Sequence, residues 1–127
     1  MKVVPYERIE TAPVTTEGSA GCRIRCLIGP DDGAPSFTMR QFEIAPGGNT
    51  PKHAHAYEHE VFVLEGAGTV LDAAGEYPVQ AGTVVFVAPQ EVHQFRNTGA
   101  GPLRFLCLIP HPLRGMLGSC VVACGCE

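Results

Sequence analysis

Gly and Pro interrupt this chain so often that no stretch holds a helical period. The sequence has 15 Gly and 11 Pro, and short runs rich in Val, Ile, Phe and Thr alternate with clusters of turn residues. The runs predict strands at Arg23–Ile28, Phe37–Ile44, Pro51–His55, His59–Glu65, Gly68–Asp72, Glu76–Gln80, Thr83–Ala88, His93–Asn97 and Leu103–Ile109. Breakers such as Pro46-Gly47-Gly48-Asn49, Gly66, Ala81-Gly82 and Asn97-Thr98-Gly99-Ala100-Gly101-Pro102 separate them. Many short strands at such spacing predict an all-β sandwich or barrel. The 127 residues suit a single domain, with the barrel at about 22–110, an N-terminal arm at 1–20 and a C-terminal tail at 111–127.

Composition narrows the function classes. Hydrophobic residues make up 45% and charged residues 17% of the chain, so it can bury a core. Nine basic against 13 acidic residues give a net charge of −4 without a Lys/Arg cluster, which argues against a nucleic-acid or anionic-membrane surface. The longest apolar run, Val84 to Ala88, is far too short to span a bilayer. The start, Met1-Lys2-Val3-Val4-Pro5-Tyr6-Glu7-Arg8, has no apolar signal region, and the expected location is the cytoplasm. Six Cys could suggest a disulfide scaffold, but a chain of this size does not need staples, so reduced thiols are expected. Cys120, Cys124 and Cys126 crowd into the tail. They could bind a soft metal or cycle between thiol and disulfide, although a plain tail is the simpler expectation.

Three predicted strands are apolar on both faces: Val61-Phe62-Val63-Leu64, Val84-Val85-Phe86-Val87 and Phe105-Leu106-Cys107-Leu108-Ile109. A half-solvated antiparallel strand alternates instead. The second face therefore needs cover, from the terminal arm or from a second copy, and a homodimer is expected.

The histidines carry most of the information. Four of the five are His53, His55, His59 and His93. On a strand, the i, i+2 pair His53 and His55 points to one face. His59 follows at i+4 from His55 and keeps that parity if the turn preserves register. A fourth imidazole from a distant strand can close the set. Such convergence on a β-scaffold is how imidazoles gather on one divalent metal.

These residues resemble the motifs of the cupins, small double-stranded β-helix (jelly-roll) barrels. The first cupin motif runs Gly, five residues, His-x-His, three or four residues, Glu, six residues, Gly. Here it reads Gly47, five residues, His53-Ala54-His55, three residues, His59, six residues, Gly66. The second runs Gly, five residues, Pro-x-Gly, two residues, His, three residues, Asn. Here it reads Gly82, five residues, Ala88-Pro89-Gln90, two residues, His93, three residues, Asn97. The chain is most similar to small single-domain bacterial cupins with His-x-His-x-x-Glu-His-Glu, here His53-Ala54-His55-Ala56-Tyr57-Glu58-His59-Glu60. It departs from the pattern at Ala88 and Gln90, and at His59, which holds the usual carboxylate position with Glu60 directly after it.

By resemblance, the metal set is four histidines, and the cofactor is one divalent transition metal per chain, Mn or Fe first, with Zn, Ni or Cu also suited. Neutral imidazoles leave the full +2 on the ion, which makes it a stronger Lewis acid than a glutamate-bound one. An octahedral ion would keep two positions for a chelating substrate, water or dioxygen. Phe95 shares the parity of His93, and Val61 and Val63 share that of His59. If Arg104 faces out, then Phe105, Cys107 and Ile109 face in. Phe95, Phe105, Cys107, Val61 and Val63 are thus the pocket candidates, Cys107 more simply as a small buried hydrophobe. Arg40 and Gln41 lie on opposite faces of one strand, and the sequence does not say which faces in. Tyr57 and Glu58 lie in the turn between the ligands and could form the pocket rim, although solvation is the simpler expectation, and His111 is expected to be exposed. The expected function is that of a metal-dependent oxidoreductase of the dioxygenase type acting on a small molecule. A metal-dependent isomerase and a non-catalytic binding or sensing module are the alternatives.

Overall fold

The computed structural model describes residues 1–111. The expected tail at 112–127, with Cys120, Cys124 and Cys126, lies outside the described residues. Among the described residues the chain is almost entirely β, as its turn punctuation implies, and no helix is long and apolar enough to cross a membrane.

The strands are β1 (Ala12–Pro13), β2 (Ala20–Ile28), β3 (Phe37–Asn49), β4 (His59–Glu65), β5 (Ala67–Leu71), β6 (Glu76–Gln80), β7 (Val84–Val87), β8 (Gln94–Asn97) and β9 (Leu103–Pro110). They form one antiparallel sheet in the order β6-β5-β8-β3-β9-β4-β7, with β2 pairing both β1 and β3. Only β1–β2, β2–β3 and β5–β6 pair as sequence neighbours, and the sheet curls into the jelly-roll barrel. β3 and β9 are its longest pairing, from Phe37↔Pro110 to Ile44↔Leu103.

Alternation decides what lies inside. Along β9 every second residue from Leu103 to Ile109 is buried, and Arg104 on the other face bonds Glu43 at 3.3 Å and also Glu65. Ile24, Ile44, Val63, Leu103, Phe105 and Ile109 are at most 1% exposed. Phe105 stacks on both Phe42 and Phe95, with ring centres 5.2 and 4.5 Å apart. Each large apolar side chain so buried is worth about 1.5–3 kcal/mol.

Two expectations about strands need correction. β3 does not end at Ile44 but runs through the Pro-Gly-Gly breaker to Asn49. The pairing with β2 jumps from Cys22↔Ile44 to Ala20↔Asn49, so the glycines sit in a bulge. A Cβ on Gly48 would come within 2.4 Å of the Ala20 carbonyl, which is why only glycine lets the strands approach there. The segment Pro51–His55 is no strand; it holds a single bridge, His53↔His93. Pro51 has no amide hydrogen to continue a ladder from Thr50.

The first nine residues lie along β2. Lys2 Nζ donates to the Leu27 carbonyl and to Asp32, Arg25 Nε donates to the Ile9 carbonyl, and the Arg25 guanidinium lies over Tyr6 at 5.1 Å. Cys26 on this strand is disulfide-bonded, against the expectation of reduced thiols.

Candidate metal and ligand site

The histidine segment is tied to β8 by backbone and side-chain bonds. The amide of Thr50 donates to the Phe95 carbonyl, and the Phe95 amide donates to Thr50 Oγ1, both at 2.9 Å. The amides of His53 and His93 donate to each other's carbonyl at 3.2 and 2.9 Å. Asn97 steadies the β8–β9 turn, its Nδ2 donating to the Ile44 and Gly101 carbonyls at 2.8 Å. Before His93, Gln90 takes a left-handed backbone with φ 68°, at the position where the related motif has glycine. The turn thus keeps its shape without the glycine, at a cost of about 1–2 kcal/mol.

This frame gathers four imidazoles. Ring centres stand 4.2 Å apart for His53–His55, 4.9 Å for His53–His93 and for His59–His93, 5.2 Å for His55–His59 and 6.1 Å for His55–His93. An imidazole nitrogen about 2.1 Å from an ion puts its ring centre about 3.2 Å from that ion, so two rings at right angles around it stand about 4.6 Å apart. The spacing suits a shared ion. The nitrogens themselves are less well gathered: among the described residues no group of three or more His, Cys, Asp or Glu stands in a metal-holding arrangement.

The ring nitrogens are nevertheless notable. His53 Nδ1, both nitrogens of His55 and His59 Nε2 are buried without a hydrogen-bond partner, and each such group costs about 1–3 kcal/mol. His93 Nδ1 donates to the Glu91 carbonyl at 2.9 Å, leaving its Nε2 as the acceptor. His59 Nδ1 lies 3.3 Å from Cys107 Sγ. The same Nδ1 also faces Arg40 Nη2 at 3.5 Å. Burial is the main reason these imidazoles are held neutral, pushing His53 down to about 3, His55 to about 4 and His59 to about 2. Burial also lowers His93. The nearby positive charge of Arg40 adds to the depression at all four.

A cavity opens beside the cluster. Its walls are Phe42, Val61, Phe95 and Phe105, and its polar lining includes Arg40, Thr50, His53, His59, His93 and Cys107. Of the pocket candidates, Val61, Phe95, Phe105 and Cys107 line it. Val63 is fully buried in the core, away from this lining. His55 is buried behind it and stacks on Tyr57 at 4.8 Å with the rings nearly parallel. Tyr57 is therefore a buried member of the cluster, not solvated as expected, whereas Glu58 is exposed. His111 is half-buried and bonds Thr38 through Nε2, again not freely solvated. Glu60 points outward from β4, between Phe86 and Leu108 of the adjacent strands.

The sequence alone does not direct Arg40. It faces the cavity and is 1% exposed, while Gln41 faces the other way and accepts from Arg25 at 2.8 Å. The signal that could have found it is parity: Arg40 shares its face with Phe42 and Ile44, both buried.

The cupin domain matches residues 40–109, more than half of the chain. The chain belongs to the cupin family. In this cupin the match runs from Arg40 through all four clustered histidines to the end of the barrel. The polyketide cyclase RemF from Streptomyces resistomycificus is 33% identical, with a TM-score of 0.82 over 87% of this chain and 79% of that one. An oxalate-binding protein of Thermotoga maritima is 34% identical over 70 residues, 54% of this chain and 58% of its own length. Auxin-binding protein 1 of Arabidopsis thaliana is 33% identical over 88 residues, 58% of this chain and 44% of its own. The cupin spans about half the length of the curated relatives it matches.

Proposed function

We propose that this cupin is a metal-dependent enzyme acting on a small oxygen-bearing molecule. His53, His55, His59 and His93 hold one divalent transition metal, Mn or Fe first. The observation that carries the reading is the set of buried imidazole nitrogens without hydrogen-bond partners, on rings spaced for a common ion. The metal, when bound, supplies Lewis acidity toward a carbonyl or enolate. The chain supplies the rest. Neutral imidazoles leave the ion its full charge, the Glu91 carbonyl fixes the His93 tautomer, Cys107 contacts His59, and the aromatic walls exclude water from the ligand.

An all-imidazole donor set favours polarisation of a bound carbonyl, and hence isomerisation or ring closure by proton transfer. The likeness to a polyketide cyclase supports this reading. Oxidation of the dioxygenase type is the second reading, since the same neutral donors suit Fe. The test starts with anaerobic purification and elemental analysis, which should find one divalent metal per chain. Small carbonyl and phenolic compounds are then followed for exchange of their carbon-bound protons and for oxygen uptake. Proton exchange without oxygen uptake supports the Lewis-acid reading, and oxygen uptake supports the second. Tight binding without turnover would make the chain a binding module. Protein without stoichiometric metal would overturn the proposal.

A further inference from the structure

Tyr57 lies in the bend that joins His55 to β4, two residues from each of two clustered histidines. Its ring is 4.8 Å from that of His55, centre to centre, and the two planes differ by 3°. It is 5.4 Å from the ring of His59, at a tilt of 41°. Tyr57 is 9% exposed and His55 5%, so water reaches little of either.

His55 differs from its companions in how its ring is held. The Glu91 carbonyl fixes His93, and Cys107 contacts His59. Among the four, only His55 has both ring nitrogens buried without a hydrogen-bond partner. Its backbone is pinned, because its carbonyl accepts from the Gln90 amide. Two side-chain torsions still separate that backbone from the ring, and the outer one is broad in any histidine. The parallel Tyr57 ring takes up that freedom. A turn of the imidazole about its outer torsion would drive its edge into the tyrosine face, whereas the offset stack is a favoured arrangement.

We infer that Tyr57 is the positioning residue for His55, its ring face holding the imidazole plane so that a nitrogen is presented to the ion. It does for His55 what a hydrogen bond does for His93. Stacking constrains the plane of the ring and occupies neither nitrogen, so the lone pair stays available as a donor to the ion. The inference rests on the metal reading above.

The test compares Tyr57→Phe with Tyr57→Leu in the full chain. Both lack the hydroxyl and both are apolar, so the flat ring is what separates them. Zn²⁺ is titrated into the metal-free variants by calorimetry. Tyr57→Leu should bind at least about threefold more weakly than Tyr57→Phe, the size of effect that one stacked aromatic pair supplies. A smaller difference overturns the inference. Proton NMR of the metal-free protein gives a second readout, one that a general loss of packing would not produce. Protons held over an aromatic face resonate upfield. The His55 ring protons should therefore lie upfield in wild type and Tyr57→Phe and move downfield in Tyr57→Leu, while those of His93 keep their position. His55 signals that coincide in all three forms refute the inference. Should Tyr57→Leu fail to fold, wild type and Tyr57→Phe decide it alone: upfield His55 protons in both support it, and ordinary shifts in both refute it. Wild-type protein that takes up no Zn²⁺ sinks the metal reading, and the His55 shifts then still decide whether Tyr57 orients that ring.

Discussion

Replacing His59 by alanine separates two designs of metal centre that differ by a single position. His59 and Glu60 are adjacent on β4, so their side chains leave opposite faces of the sheet. His59 is 5% exposed, and its Nε2 has no hydrogen-bond partner. Truncation removes one of the four proposed donors, together with its contact to Cys107. Losing only an orienting partner of a metal ligand costs about 10–100-fold in affinity, so losing the ligand itself should cost at least about tenfold, or 1.4 kcal/mol. Glu60 can act only through its charge. Burial and the neighbouring Glu58 carboxyl push it up to about 7, so at neutral pH it carries about half a charge. Water and salt screen that charge over about 8–10 Å. Glu60→Ala should therefore leave metal affinity within about twofold of wild type. The assay is calorimetric titration of metal-free protein with Mn²⁺ and Zn²⁺, with thermal melting of each metal-free variant to confirm folding. Loss of binding in Glu60→Ala with retention in His59→Ala would refute the reasoning and make the centre three histidines and a carboxylate.

The pH dependence of the metal-free protein follows from its depressed imidazoles. The unfolded chain takes up protons near the ordinary value of 6.5, whereas folded His53 and His55 do so only near 3 and 4. Their contribution to stability is therefore complete above 6.5 and drains away as the pH falls toward 4. Melting temperature should drop across that window, by a free energy of at most about 1.4 kcal/mol per pH unit for each histidine, and a flat profile counts against buried neutral imidazoles. Glu60 has the opposite sign: raised to about 7, it favours the fold below 4.5 and loses that contribution as the pH rises through 7. Glu60→Gln should thus melt higher than wild type at pH 8 and not at pH 4, as read by circular dichroism. Gly66→Ala should destabilise by more than the about 1–3 kcal/mol of backbone strain, because φ is +91° and a Cβ would lie 2.3 Å from the Pro102 carbonyl oxygen. Denaturant unfolding with an unchanged midpoint would contradict this. Phe62, Leu64, Val84 and Phe86 are 41–70% exposed on the outside of β4 and β7, while the first nine residues lie along β2 instead. We propose that a second copy covers them, so light scattering should give a dimeric mass for wild type and a lower one for Phe86→Glu.

Much of this molecule is written in local patterns. The inward residues of β9 were readable from Arg104, because one charged residue on a strand sets the parity of all its neighbours. The grouping of His53, His55, His59 and His93 was readable from short spacings plus one distant motif, and the all-β class from its turns. Other features depend on pairings between residues far apart in sequence, which no local pattern carries. Only the β3–β9 register puts Arg40 opposite Cys107, and only the curl of β4 brings His59 within reach of both. Only the folded bulge shows that β3 crosses a Pro-Gly-Gly breaker, because the glycines answer to the close approach of Ala20. The burial of Tyr57 depends on the stacking partner that the turn brings to it. Sequence alternation settles which face a side chain leaves from, whereas the register between distant strands settles what it meets there, and that register is fixed by the packing of the whole barrel.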